Sequence, residues 1–175
     1  MKFYIFFSAL LLVHSCSEER KSDLHSSDGL PDQESWGVTI IMTHEGHIRA
    51  KVSSGHLEKF NEKEYIILDE NVKVDFYDLQ EHHTSTLFSD KSEINEKSND
   101  MLAIGNVIAK TDSGITLFTQ RLQWIAEDEK LFTKDSIMIT TLGGDTLFGK
   151  GFESNADLEN WRILNPSGVT GSEIH

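Results

Sequence analysis

The chain has 175 residues, of which 38% are apolar and 26% are charged, and both values are ordinary for a single globular domain. Its 16 Lys and Arg residues stand against 29 Asp and Glu residues, so the formal net charge is −13. This acidity disfavours contact with a phosphate backbone and argues against a nucleic-acid partner. The single cysteine excludes an internal disulfide and any multi-cysteine zinc site.

The N-terminus has the pattern of an export signal. Lys2 precedes an apolar run over residues 3–13, which as a helix would span roughly 16 Å, about half of a bilayer core. The only cysteine, Cys16, follows Val13-His14-Ser15 and resembles the lipobox of bacterial lipoproteins. We therefore expect residues 1–15 to be a lipoprotein signal peptide and Cys16 to be lipidated. The alternative is a simple secretory signal with a coincidental cysteine.

Three further segments follow the signal. Residues 16–35 are polar and predict a flexible tether. Residues 36–168 alternate apolar and polar side chains in short runs, which is typical of β-strands. Residues 169–175 are predicted to form a C-terminal tail. The two prolines, Pro31 and Pro166, are expected to lie outside the strands, since proline cannot donate to a sheet ladder.

An internal repeat defines the architecture of the body. The tripeptide Thr-Leu-Phe occurs at 86–88, 116–118 and 146–148, a spacing of 30 residues each time. Each unit contains two polar turns and two segments of about ten residues, which predicts an all-β fold built as an antiparallel hairpin ladder. A parallel β-helix with coils of 30 residues is the alternative.

Apolar residues at neighbouring positions indicate how this ladder folds. Adjacent Leu and Phe side chains point to opposite faces of a strand, so the sheet is apolar on both faces. Such a sheet must fold over or pack on a partner, which favours a curved sandwich or jellyroll. The glycines at 149 and 151 are interpreted as a bend in a strand.

Motifs for chemistry are absent from the sequence. His44 and His47 are three residues apart, His82 and His83 are adjacent, and His56 stands alone, without an HExxH motif or paired carboxylates. Solvated loop histidines are favoured over a metal site, which remains the lesser alternative. We therefore predict no catalytic residue, no metal, no cofactor and no enzymatic activity.

The C-terminal half resembles the LptC family. The resemblance rests on the sequence GFESNADL at 151–158, Trp161, NPSG at 165–168, and the segments 119–124 and 130–133. Weaker likeness is found at Glu45-Gly46, His56-Leu57-Glu58 and Asn71-Val72. It extends over residues 36–168.

The resemblance implies an open β-jellyroll in the lipopolysaccharide export machinery. Such a protein accepts lipopolysaccharide from the permease subunits of an inner-membrane ABC transporter and passes it to a periplasmic bridge protein of the LptA type. It implies a periplasmic location. The sequence departs from many relatives in its anchor: they have a spanning helix, whereas the short apolar run before Cys16 predicts a lipid anchor, which is expected in the inner membrane. The alternative is a lipid-anchored β-sandwich that binds a glycan or a protein, or has a structural role, unrelated to lipopolysaccharide.

Six side chains are predicted to form an apolar groove for acyl chains, namely Val38, Ile40, Leu68, Phe118, Phe152 and Ala156. Leu68 and Ala156 also sit where the resemblance places substrate-contacting positions. Ordinary core packing is the alternative for each of the six.

The partner edge is predicted in the last copy of the repeat, at Thr146, Leu147, Phe148 and Gly149. No later repeat unit covers this segment, so its backbone is expected to pair with a strand of another jellyroll. Alternatively, the tail over residues 161–168 folds back over this edge.

Overall fold

The structure is a computed structural model that describes residues 29–170, with side chains described through residue 168. Nine β-strands account for most of this part of the chain. They are β1 (Gln33–His44), β2 (His47–Phe60), β3 (Tyr65–Tyr77), β4 (His83–Asn95), β5 (Met101–Thr111), β6 (Thr116–Ile125), β7 (Lys130–Thr140), β8 (Thr146–Asn155) and β9 (Trp161–Thr170). Among residues 29–170, no helix is long and apolar enough to cross a membrane.

The strands form one antiparallel sheet in chain order, from β1 at one edge to β9 at the other. Every strand pairs only with its neighbours in sequence, as a hairpin ladder requires. The predicted all-β fold and the hairpin ladder are therefore confirmed. The parallel β-helix is wrong, because its coils would stack in parallel rather than reverse direction at every turn.

The strands from β2 to β8 are interrupted near their middle, and this lets the sheet fold over itself. The six pairings from β2–β3 through β7–β8 all have a register shift inside the strands, for example between Ile104 and Val107 and between Thr133 and Ser136. Shifts of this kind bend a strand and increase its twist. We call this line of bends the crease. The two halves of each strand belong to the two layers that meet across it.

Glycine makes the crease possible at two strands. Gly105 in β5 has φ +79° and Gly151 in β8 has φ +80°, a backbone region that side chains disfavour. A Cβ on Gly105 would lie 2.5 Å from Asp90 Oδ2 on the neighbouring strand. The bend predicted from the glycines at 149 and 151 is thus confirmed at Gly151.

The core lies between the two layers. Phe76 in one layer meets Trp124 in the other with ring centroids 5.2 Å apart, and Ser85 Oγ donates to the carbonyl oxygen of Ala156 across the layers at 2.7 Å. Large buried side chains come from both layers: Val52, Val74, Leu87, Leu117 and Ile139 from one, and Leu68, Met101, Leu122, Trp124 and Phe152 from the other.

Buried hydroxyl groups complete the hydrogen bonding at the crease. Ser54 Oγ donates to the carbonyl oxygen of Asp69, and Thr119 Oγ1 donates to that of Ser136 at 3.1 Å. Both acceptors lie beside register shifts, where the ladder leaves carbonyl groups without a backbone partner. The buried Ser and Thr residues therefore stabilise the bend.

The ends of the domain extend further than expected. Strand β1 begins at Gln33, inside the predicted tether, and β9 continues to Thr170, past the predicted domain end at residue 168. Pro166 lies within β9, opposite Gly149, and not outside the strands as predicted. This position is tolerated because β9 is an edge strand with one unpaired side. The signal peptide and Cys16 lie outside the described residues.

Candidate lipid-binding interior and sheet edges

Five of the six predicted groove residues lie on or against the inner face. Leu68, Phe152 and Ala156 are buried, with 0%, 1% and 8% of their surface exposed. Ala156 follows β8 in the turn to β9, where it packs beneath Ser85. Val38 and Ile40 are half-buried on the edge strand β1 and pack against the core. The structure thus brings these side chains into one apolar interior.

Phe118 is the exception, and its predicted inward direction is wrong. Leu117 is 1% exposed on the inner face, so its neighbour Phe118 must point outward. Phe118 lines an outer depression of about 450 Å³ together with Ile108, Met138 and Phe148. Hydrophobicity alone did not separate the two faces, because both positions of the repeat are apolar.

A strip of packed apolar side chains lies between the two layers from the β1 edge to the β9 edge, and we call this strip the trough. Its side opposite the crease is the mouth, where an ion pair joins the two layers. Arg49, at the start of β2, is bonded through Nη2 to Oε2 of Glu129 in the β6–β7 turn, at 2.8 Å. The two side chains are only 10% and 30% exposed. Arg49 Nε and Nη1 and Glu129 Oε1 are buried without a hydrogen-bond partner among the described residues.

Two depressions flank this ion pair. One of about 200 Å³ has an apolar floor formed by Met42, Ala50 and Trp124, which belong to the core or pack against it. The other, of about 330 Å³, lies between the β3–β4 turn and Ala156. Arg49 and Glu129 line both depressions, so breaking their contact would join the depressions at the mouth of the trough. No local sequence pattern indicates this pair, because its members are 80 residues apart.

The C-terminal edge differs from the prediction. Residues 146–149 pair with β9 on the side away from β7, so the predicted partner edge lies inside the sheet. The packing is close because Gly149 has no side chain, and a Cβ there would clash with Ile163 and approach the carbonyl oxygen of Asn165 to 2.8 Å. The alternative, in which residues 161–168 cover this edge, is correct. Strand β9 therefore provides the free edge.

Several histidines of residues 29–170 contact acidic side chains, and His83 Nε2 also lies 3.0 Å from Thr86 Oγ1. His83 contacts Asp112 at 2.9 Å and Asp75 at 3.4 Å, and His82 contacts Asp78 at 3.3 Å, all near the β3–β4 turn. His56 contacts Asp69 at 3.0 Å on the opposite half of β3. The predicted loop location fits His82, whereas His56 lies within β2.

Comparisons with known proteins agree with this architecture. The chain matches over 71% of its length, at 11% identity and a TM-score of 0.53, the crystal structure of LptH, described as the LptA homologous periplasmic component of the lipopolysaccharide transport device from Pseudomonas aeruginosa. The match covers 89% of that chain and shows the jellyroll fold. Among curated proteins, none matches the sequence. A family profile described as "Lipopolysaccharide-assembly, LptC-related" matches residues 6–171, and the chain therefore belongs to the LptC family.

Proposed function

We propose that this protein is a non-enzymatic component of lipopolysaccharide export that accepts the glycolipid in its interior and passes it onward. The observation that carries the proposal is the apolar trough, which runs between two layers and ends at two free edge strands. Membership of the LptC family and the likeness to LptH support the role in lipopolysaccharide transport.

Acyl chains would bind by replacing contacts between the two layers. The inner side chains pack against each other, so a ligand must separate the layers at the mouth. Each CH₂ group moved from water to such a wall gains about 0.8 kcal/mol, without selecting for a particular polar group. This suits a protein that must hold a chain and then release it along the trough.

The two edges would provide the contacts with neighbouring proteins. An edge strand presents unpaired N–H and C=O groups, which a strand of another jellyroll can complete by β-augmentation. We assign β9 to a bridge protein of the LptA type and β1 to the permease subunits of the inner-membrane ABC transporter. This revises the partner segment from residues 146–149 to β9.

Lipidation of Cys16 would hold the domain at the periplasmic side of the inner membrane. The short apolar run before Cys16 supports this anchor. Mass spectrometry of protein purified from the envelope should find a chain that begins at an acylated Cys16. A chain that retains residues 1–15, or carries an unmodified Cys16, would rule out this anchor.

Photo-crosslinking tests the trough directly. A photoreactive residue at Leu68 or Ala156 should capture lipopolysaccharide in exporting cells, because both side chains face the interior. Phe118 is the matched control, since it is apolar but points to the outer face. Equal capture from Phe118, or capture from the exposed Glu127 without capture from Leu68 and Ala156, would contradict the proposal.

The same method tests the two edges. Leu164 on β9 is 39% exposed and should crosslink to the bridge protein, whereas Ile41 on β1 is 57% exposed and should crosslink to the permease. Each position serves as the control for the other. Capture of the bridge protein from Ile41 and not from Leu164 would reverse the assignment of the edges.

A further inference from the structure

A group of three potential metal ligands lies where β1 pairs with β2, on the outer face of the sheet. The register places Glu34 opposite Glu58 and Trp36 opposite His56. Leu57, between His56 and Glu58, is buried on the inner face, so its two neighbours point outward together. One ligand atom from each of Glu34, His56 and Glu58 lies within 4.8 Å of the other two.

A cation between the two carboxylates would relieve their repulsion. Like charges directly opposite each other on neighbouring strands are destabilising. Within the described part of the chain, neither Glu34 nor Glu58 forms an ion pair with a lysine, arginine or histidine. The adjacent Lys59 is engaged elsewhere, with its Nζ 2.6 Å from Glu96 Oε1.

The imidazole of His56 is oriented by a neighbouring carboxylate. Its Nδ1 lies 3.0 Å from Oδ1 of Asp69 on β3, so an Nδ1–H that donates to this carboxylate leaves Nε2 with a free lone pair. The Trp36 ring packs at 5.3 Å between centroids, and the His56 side chain is 18% exposed. A carboxylate that orients a histidine in this way is the usual support of a metal-bound imidazole.

We propose that Glu34, His56 and Glu58 bind a divalent transition metal ion of the zinc class. One imidazole nitrogen and two carboxylate oxygens suit zinc, whereas calcium and magnesium prefer sites made of oxygen ligands alone. Three protein ligands leave a fourth position for water or for a group from a neighbouring molecule. Asp69 is a positioning residue, since it acts through His56.

The ion would fasten the edge strand β1 to the rest of the sheet. It would neutralise the repulsion between Glu34 and Glu58, which lie on different strands of one hairpin. This inference does not depend on the proposed function, because the ligands lie on the outer face and take no part in the trough.

Zinc titration of the full chain in detergent, after removal of metals with a chelator, tests the site. Calorimetry should show one zinc ion per chain, and zinc should raise the melting temperature. Glu34→Gln and Glu58→Gln should each weaken binding by at least about tenfold, and Asp69→Asn by about 10-fold to 100-fold. The control is His83→Ala, which removes a histidine that contacts Asp75 and Asp112 and should leave the affinity unchanged.

Melting temperatures measured without metal provide a second test of the site. Glu34→Gln should raise the melting temperature of the chelated protein, because it removes one of two facing charges, while it reduces the further rise with zinc. A merely structural role for Glu34 would not produce this opposite pair of effects. Zinc affinity that survives both Gln substitutions would place the ion at other histidines and overturn the proposal, as would the absence of saturable binding.

Discussion

The inner and outer faces of the sheet receive different side chains from the same repeat. The leucines Leu87 and Leu117 point into the core and are each 1% exposed, whereas Phe88 and Phe148 are 41% and 39% exposed on the outer face. Across β4 to β8 the outer positions form one continuous row of cross-strand partners: Phe88, Ile108, Phe118, Met138 and Phe148. Residues of similar hydrophobicity thus end in opposite environments.

The difference shows that the crease, and not hydrophobicity, decides which apolar face becomes the core. When the sheet folds over, one face of each layer meets the other layer and the opposite face remains outside. Side chains on the inner face are buried from water between the two layers. Those of the outer row contact only their cross-strand neighbours on the same face. Substitutions at paired positions should therefore separate the two faces.

The largest effect is expected for the adjacent pair Leu117 and Phe118. Leu117→Ala should lower the free energy of unfolding by about 2–5 kcal/mol, because it leaves a cavity between the layers. Phe118→Ala should cost less than about 1 kcal/mol, since cross-strand pairs on an open face contribute roughly 0.2–1 kcal/mol. Denaturant unfolding of both variants measures the difference. Equal losses would mean that the outer row is also covered.

A smaller effect is expected at the mouth of the trough, where the ion pair between Arg49 and Glu129 joins the two layers. Arg49→Met should lower stability by up to about 3 kcal/mol, because it leaves the Glu129 carboxylate partly buried without its partner. The double variant R49M/E129L should recover most of this loss, since a buried ion pair is often replaced by apolar contacts at little cost. Thermal unfolding of the three proteins provides the comparison. A double variant as unstable as Arg49→Met would contradict this account.

The smallest effect concerns an ion pair at the crease on the outer side. Asp135 accepts two hydrogen bonds from Arg121, at 2.8 and 2.9 Å, and these bonds lower the pKa of the Asp135 carboxyl below its ordinary value of 3.8. The unfolded chain therefore binds a proton more readily, so this stabilisation is present above pH 3.8 and is lost as the pH falls through the lowered pKa.

Replacing the acid should remove this part of the pH dependence. Asp135→Asn should give a shallower loss of melting temperature between about pH 4 and pH 2 than the unmodified protein shows. Glu127→Gln serves as the control, since it removes one negative charge from an exposed turn. Identical slopes for Asp135→Asn and the unmodified protein would show that the ion pair contributes nothing measurable, as many exposed pairs do.

The sequence predicts the strands well because their pattern is local. The 30-residue repeat, the turns and the bend at Gly151 all follow from short-range spacing and backbone preference, and each is found in the structure. Apolar residues on both faces favour a sandwich or jellyroll, and the family resemblance implies the jellyroll. The predicted inward direction of Phe118 is wrong because the two-residue period of a strand identifies its two faces without showing which face is buried.

Features that depend on long-range register could not be predicted in this way. The prediction that Pro166 lies outside the strands is wrong, because an edge strand tolerates proline when one of its sides is unpaired. Arg49 meets Glu129 only because the layers fold together. Glu34, assigned to a tether, joins His56 only through the pairing of β1 with β2.

The strands follow one another in the sheet in the same order as in the chain, and this has an evolutionary consequence. One repeat of 30 residues corresponds to two strands, so a duplication or deletion of one unit lengthens or shortens the sheet by about 10 Å. Because two strands are gained or lost together, the relative direction of the two edge strands is preserved. Any pairing that depends on the direction of an edge strand is preserved as well. A chain of this fold can therefore become wider or narrower while the strands at both of its edges keep their directions.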